Sequence, residues 1–194
     1  MGEGQLLAVS MARFAPQKDH ATFFEAAARA AAAVPDLRFL VAGYEAEYGE
    51  GHIRALAGRY PELEGRWMLW SERLRDGRPL VRCADIGVVH SSGSEAISRA
   101  ALEFMDEDIP LVTTRVGALP EVIREWSAGL LVPSGAAEAM AGAIVRLARS
   151  PGLAARVASG AKQRLERVFD PAEALVRFEE TLETIVREGE RVRR

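Results

Sequence analysis

One cysteine, Cys83, stands in a chain of 194 residues. A disulfide framework is therefore impossible, which fits a reducing compartment. Cys83 lies in an apolar segment with no base in view, so it reads as a small core residue rather than a catalytic thiol. No apolar run approaches the roughly 18 residues that cross a bilayer, and no secretory signal opens the chain. The opening "MGEGQL" lacks the Ser or Thr that N-myristoylation requires at its sixth position, and residues 1–4 read as a ragged end. Net charge is −3, and no Lys/Arg-rich stretch carries interleaved aromatics, so nucleic acid is not an expected partner. The one basic concentration, "REGERVRR" at 187–194, reads as a solvated helix end; contact with anionic lipid is the other reading. Neither GxGxxG nor GxxxxGK[ST] occurs, which leaves a dinucleotide fingerprint and a P-loop without support. No set of side chains has metal-ligand spacing.

What is present is an ordinary globular balance, 48% hydrophobic and 27% charged, in a length that suits one compact domain with a full core over residues 1–194. Short apolar runs alternate with helical patterns. Strands are expected at 5–10, 38–43, 66–70, 85–91, 109–114 and 129–133. Helices are expected at 20–34, 51–60, 78–84, 96–105 and 119–125, then at 136–149, 151–167 and from 171 to the end. Asp19 and Asp170 stand where they can cap helices, and Pro151 and Pro171 where helices can begin. Strands apolar throughout and separated by helices predict a parallel sheet covered on both faces, an α/β doubly wound, Rossmann-like fold of about six strands with helices at the C-terminal end. No linker, low-complexity tract or repeat interrupts the pattern.

Ligands of such sheets bind at the carboxyl ends of the strands. That directs attention to residues 13–18, 43–45, 71–73, 90–97, 115–117 and 134–135. The first of these loops carries Arg13 and Lys18. The fourth carries three serines, a glycine and Glu95 ahead of a helix start near Ala96, where free amides and the helix dipole favour an anion. Two cations and a helix end would make a diphosphate-sized pocket. Glu95 and Glu103 are eight residues apart. On an ideal helix that is roughly 12 Å and about 80° of rotation, wider than the roughly 5–9.5 Å of a glycosidase acid/base pair. A long ligand with hydroxyls at both ends suits the spacing, because a carboxylate accepts two hydrogen bonds from a vicinal diol. The plainer reading, two glutamates offsetting a dipole or simply solvated, stays open at this point. His90 reads either as an ordinary strand-end residue or as a ligand contact.

The segments "VSMARFAPQKDHATFFEAA", "LRFLVAG", "ADIGVVHSSGSEAISRAALEFM" and "IPLVTTRVGALPEVI" with "GLLVPSG" resemble, in order and at these intervals, the C-terminal donor-binding domain of GT-B glycosyltransferases, within the retaining family 4 (group 1). The resemblance runs from about residue 6 to residue 169. It implies one half of a two-domain enzyme that moves a sugar from a nucleoside diphosphate sugar, UDP- or GDP-linked, to an acceptor hydroxyl. Arg13 and Lys18 match the basic pair that grips the diphosphate. Glu103 matches the carboxylate that binds the ribose, and Glu95 the one that faces the sugar. Gly43, Ser94, Ala96, Ile97 and Ser98 belong to the loops around the donor, and Ser71 and Arg73 to the loop that holds the base. The resemblance implies no cofactor and no metal.

Three departures go with it. Ala96, Ile97 and Ser98 replace a usual glycine–aromatic–glycine stretch, which limits backbone approach to a sugar. "DED" at 106–108 replaces a small, glycine-containing turn. The acceptor-binding domain expected before residue 6 would have to be supplied in cis or in trans. The variant "GSEAISRAALEFM" resembles a subset tied to lipopolysaccharide and other surface glycans, which implies a cytoplasmic enzyme at the inner face of the membrane, with peripheral association. Two rivals remain: a nucleotide-sugar epimerase of the same fold, and a noncatalytic nucleotide-sugar-binding domain. Weak nucleotide binding and no transfer by this chain alone are expected.

Overall fold

The structure, a computed structural model, describes residues 4–93, 95–124 and 126–192. Ser94, expected among the donor-binding residues, lies outside them. The chain divides into two compact units, Met1–Lys162 and Gln163–Arg194.

The larger unit is built on a parallel sheet with six strands among the described residues: β1 (Leu6–Met11), β2 (Leu37–Ala42), β3 (Trp67–Trp70), β4 (Ile86–Val89), β5 (Leu111–Thr114) and β6 (Leu130–Val132). Their order is β3-β2-β1-β4-β5-β6. Chain direction reverses its progress across the sheet between β1 and β4, where Ser10 pairs with Val88. That is the switch point at which a doubly wound sheet opens a crevice. The expected α/β architecture is therefore present. One strand differs from expectation. β3 is an edge, and Met68 is 51% exposed and Trp70 39% exposed, so it is covered on one face only.

The helices follow the strands: α1 (His20–Ala33), α2 (Glu50–Ala57), α3 (Arg78–Val81), α4 (Arg99–Asp106), α5 (Leu119–Val122), α6 (Ala137–Arg149), α7 (Pro151–Val168) and α8 (Pro171–Val192). The Asp19 side chain accepts from the Thr22 amide at 3.2 Å, the cap the sequence predicts. The buried face of α1 is made of small residues, Ala26, Ala27, Ala30 and Ala31, which lets α6 pack closely against it. Phe23, Phe24 and Phe39 fill the space between α1 and the sheet. Burying each of these rings contributes on the order of 2–3 kcal/mol.

α4 begins at Arg99, three residues later than periodicity predicts. The Ser98 hydroxyl accepts from the Ala101 amide at 3.4 Å and sets the start there. Cys83 corrects a second expectation. It is exposed, just past the end of α3, with its thiol donating to the Pro79 carbonyl at 3.2 Å. In the smaller unit, α8 carries Leu175, Phe178, Leu182 and Ile185 at helical spacing, all exposed. Its i,i+4 pairs Arg177–Glu173 and Arg187–Glu183 lie at the surface; such pairs contribute only tenths of a kcal/mol.

Candidate functional site: a cationic cleft at the switch point

A cleft of about 930 Å³ opens at the carboxyl ends of the strands. Arg13 and Lys18 reach it from the loop after β1, Gly43 and Tyr44 from the loop after β2, and Glu72, Arg73 and Arg75 from the loop after β3. Glu95 and Ile97 come from the loop after β4, and Arg99 and Glu103 from α4. Five cations and three carboxylates thus line one concavity, separated by up to 90 residues of sequence but brought to one rim by parallel strand direction. Such a volume lies within the range of ligand sites, and the excess of positive charge favours an anion.

The loop after β1 is a short 3-10 turn, Pro16–Lys18, closed by Asp19 in the left-handed region at φ 50°. The turn brings the Lys18 ammonium onto Glu95 Oε1, to which it donates. The Ser91 hydroxyl donates to the same oxygen at 2.5 Å and lies 3.4 Å from Lys18 Nζ. Glu95 is only 6% exposed. Its place is held from behind. The Ala118 amide donates to the Glu95 carbonyl at 2.8 Å, and Gly117, at φ +54°, lies so close that a Cβ there would overlap the Glu95 backbone. Thr114 steadies the same loop by donating to the Ser91 carbonyl at 2.6 Å. A buried carboxylate survives in such a place only when it is paired and hydrogen-bonded, which these contacts provide.

Glu103 lies on α4, beside Gly77 and 3.6 Å from the Arg99 guanidinium. Arg99 itself is 87% exposed, so the pair is a weak surface contact that leaves both groups available to a ligand. Arg73 stands 5.2 Å over the Tyr44 ring and links the loops after β2 and β3; a cation over an aromatic face at an exposed site contributes about 0.5–1 kcal/mol. Gly43 lets the loop after β1 pass close to β2, since a Cβ there would run into the Ala12 carbonyl and the Phe14 ring.

The structure thus gathers Arg13, Lys18, Gly43, Arg73, Glu95, Ile97 and Glu103 on one cleft. It places others differently. Ser71 turns its hydroxyl to Glu50 Oε1 at 2.5 Å, away from the cleft wall. Ser98 is a buried helix cap. Ala96 is exposed in the loop that precedes α4 and is not the start of the helix. Ile97, 69% exposed, is the residue of the "AIS" stretch that borders the cleft. Of the two readings of His90, an ordinary strand-end residue or a ligand contact, its position directly after β4 and its 2% exposure fit the first, and it sits beneath the site. Arg75 and Arg99 escaped the sequence reading. For Arg99 a signal existed, since a residue four before Glu103 shares its helical face. Among the described residues no group of three or more His, Cys, Asp or Glu could hold a metal ion.

Comparison with known proteins bears on the fold and the family. The D-inositol 3-phosphate glycosyltransferase of Saccharomonospora viridis is 36% identical over 86 residues, 44% of this chain and 20% of that protein. The Anabaena protein HepE, solved in complex with UDP, superposes with a TM-score of 0.84 at 21% identity, over 93% of this chain and 49% of HepE. The C-terminal domain of LpcC, a glycosyl transferase group 1 family protein from Francisella tularensis, superposes with a TM-score of 0.74 at 21% identity, over 85% of this chain and 87% of that domain. The chain therefore spans a fifth of the curated relative and about half of HepE. Residues 5–150 match the family of group 1 glycosyl transferases, and the chain belongs to that family.

Proposed function

We propose that this chain is the donor-binding half of a retaining glycosyltransferase, which binds a nucleoside diphosphate sugar and presents it to an acceptor held by a second domain. The observation that carries the reading is that Arg13 and Lys18 share one cleft with Glu95 and Glu103. In this reading the two cations hold the diphosphate, and Glu95 and Glu103 meet the hydroxyls of the sugar and the ribose on either side of it. HepE, a structural neighbour over nearly the whole chain, has been solved with UDP-glucose, which supports a UDP-sugar as the donor.

Transfer breaks the bond between the anomeric carbon and the diphosphate, forms one to the acceptor oxygen, and passes the acceptor's hydroxyl proton to the departing diphosphate. Negative charge grows on the departing diphosphate while the sugar becomes oxocarbenium-like. Arg13 and Lys18 stabilise that charge most when it is fully developed, which is the differential binding that lowers a barrier. Lys18 has three donors, so it can retain Ser91 and Glu95 while it donates to a phosphate oxygen. Glu95, fixed by Ala118, Ser91 and Lys18, accepts from sugar hydroxyls, and Glu103 from the ribose diol. The reading uses no metal, since two side-chain cations take the role. A surface glycan such as lipopolysaccharide is the acceptor we assign, from the "GSEAISRAALEFM" variant, with the enzyme at the cytoplasmic face of the membrane.

Calorimetric titration with UDP and GDP tests the binding step. Arg13→Ala and Lys18→Ala each remove a charge-assisted contact of about 1.5–3 kcal/mol, so affinity is expected to drop about 10- to 100-fold. Unchanged affinity in both variants would defeat the phosphate assignment. With the second domain present, product analysis separates transfer from epimerisation: a sugar moved to the acceptor supports the reading, whereas an epimerised donor without acceptor overturns it.

A further inference from the structure

We infer that His90 is a positioning residue for Lys18: its imidazole ties Ser10 of β1 to the main chain at Lys18 and so aims the ammonium into the cleft. The inference rests on Lys18 as a cation that binds the diphosphate. His90 Nδ1 meets the Lys18 carbonyl, and Nε2 lies 2.5 Å from the Ser10 hydroxyl. A carbonyl only accepts, so Nδ1 carries the proton, and Nε2 accepts from Ser10. The ring thereby has one donor and one acceptor, each used once.

The position is costly for a histidine. It lies between the Phe23 ring, 4.8 Å away between centroids, and the His20 ring, 5.0 Å away. Burial holds its pKa down at about 4, below the ordinary 6.5. Leucine or phenylalanine would pack there more cheaply, but neither can join a strand hydroxyl to a loop carbonyl. The carbonyl it holds is the one between Lys18 and Asp19, where the chain enters the left-handed conformation at φ 50°. Two further ties reach the same turn. The amides of Ser92 and Gly93 donate to the Gln17 carbonyl at 2.9 and 3.3 Å. They hold the peptide plane before Lys18; His90 holds the carbonyl of the plane after it, whose amide end, that of Asp19, donates to the Pro16 carbonyl at 3.0 Å.

The test is UDP titration of the wild type, His90→Leu, His90→Asn, Lys18→Ala and the Lys18→Ala/His90→Leu double variant. Each titration is accompanied by thermal melting without nucleotide, and the wild-type ring tautomer is read by ¹⁵N NMR. Asparagine keeps an N–H near the place of Nδ1. His90→Leu is expected to lose about tenfold in affinity, His90→Asn to recover most of it, and the double variant to bind no worse than Lys18→Ala alone. The wild-type ring should show the Nδ1–H tautomer between about pH 5 and 8. Wild-type affinity in His90→Leu, equal losses in the leucine and asparagine variants, additive losses in the double variant, or an Nε2–H tautomer would each overturn the inference. Should His90→Leu fail to fold, the asparagine variant in both Lys18 backgrounds and the tautomer decide the matter. If the wild type binds neither UDP nor GDP, the donor-binding reading itself fails. If the wild type binds and Lys18→Ala does not, while both His90 variants bind normally, only the positioning role is lost.

Discussion

His20 makes the sharpest prediction about stability. The residue opens α1, is 3% exposed, and packs edge-on to Phe14 at 5.7 Å and to His90 at 5.0 Å. Neither ring nitrogen has a hydrogen-bond partner. Burial, followed by the neighbouring His90, lowers its pKa from 6.5 to about 3; Asp19 opposes the shift, and His52 and Lys18 add to it. The native state therefore refuses a proton that the unfolded chain accepts below about pH 6.5. Stability is highest above that pH and is lost as pH falls toward about 3, since unfolding takes up a proton across this window. From pH 7 to pH 5 the loss is about 2 kcal/mol, a figure insensitive to the native pKa so long as it stays well under 5. His90, held at about 4, adds about the same. Replacing His20→Phe removes the first contribution and leaves the second. Any cost of fitting the larger ring is the same at both pH values, so the change with pH isolates proton uptake. Urea unfolding followed by tryptophan fluorescence is a suitable assay, because Trp67 packs on Phe24 in the same unit. The wild type should lose about 2 kcal/mol more than His20→Phe between pH 7 and pH 5. Equal losses in the two proteins, or a His20 ring signal that titrates near 6.5, would refute the reasoning.

Two other perturbations probe the cleft, and a third probes the core beneath it. Gly117→Ala should destabilise the fold by about 1–3 kcal/mol and weaken UDP binding, because it forces both a strained φ and a displaced Glu95 backbone; melting and titration of one preparation check both effects. Glu103→Gln should weaken UDP by about tenfold while leaving inorganic pyrophosphate unchanged, since only the ribose contact is altered; equal losses for both ligands would contradict the ribose assignment. Gly87→Ala should cost about 1–3 kcal/mol in chemical denaturation without a specific effect on nucleotide affinity, because its Cβ would press into the Phe104 ring beneath α4.

The cations of the loop after β1 and the glutamates Glu95 and Glu103, singled out in the sequence by their loops and by the family resemblance, line one cleft. Other features were hidden by distance along the chain. The pairing of Lys18 with Glu95 joins residues 77 apart, and nothing near either one indicates it. His90 is the strand-end residue it looked like, but its burial depends on β4 lying in the middle of the sheet. Ser71 looked like a base contact because its strand position is right, yet Glu50 on a neighbouring helix takes its hydroxyl. Cys83 looked internal because its neighbours are apolar, but α3 is too short to carry that face under cover.

Local patterning set the alternation of strands and helices, the parallel sheet and the cap at Asp19, because these follow from apolar period, turn chemistry and hydrogen bonds within a few residues. Tertiary structure alone decided that β3 is an edge, that α4 waits until Arg99, that His90 lies under Lys18 and that Gly117 braces Glu95. Those outcomes depend on which strands are neighbours and which loops share a rim. Such neighbours are set by the packing of the whole sheet, and no local stretch of sequence carries that information.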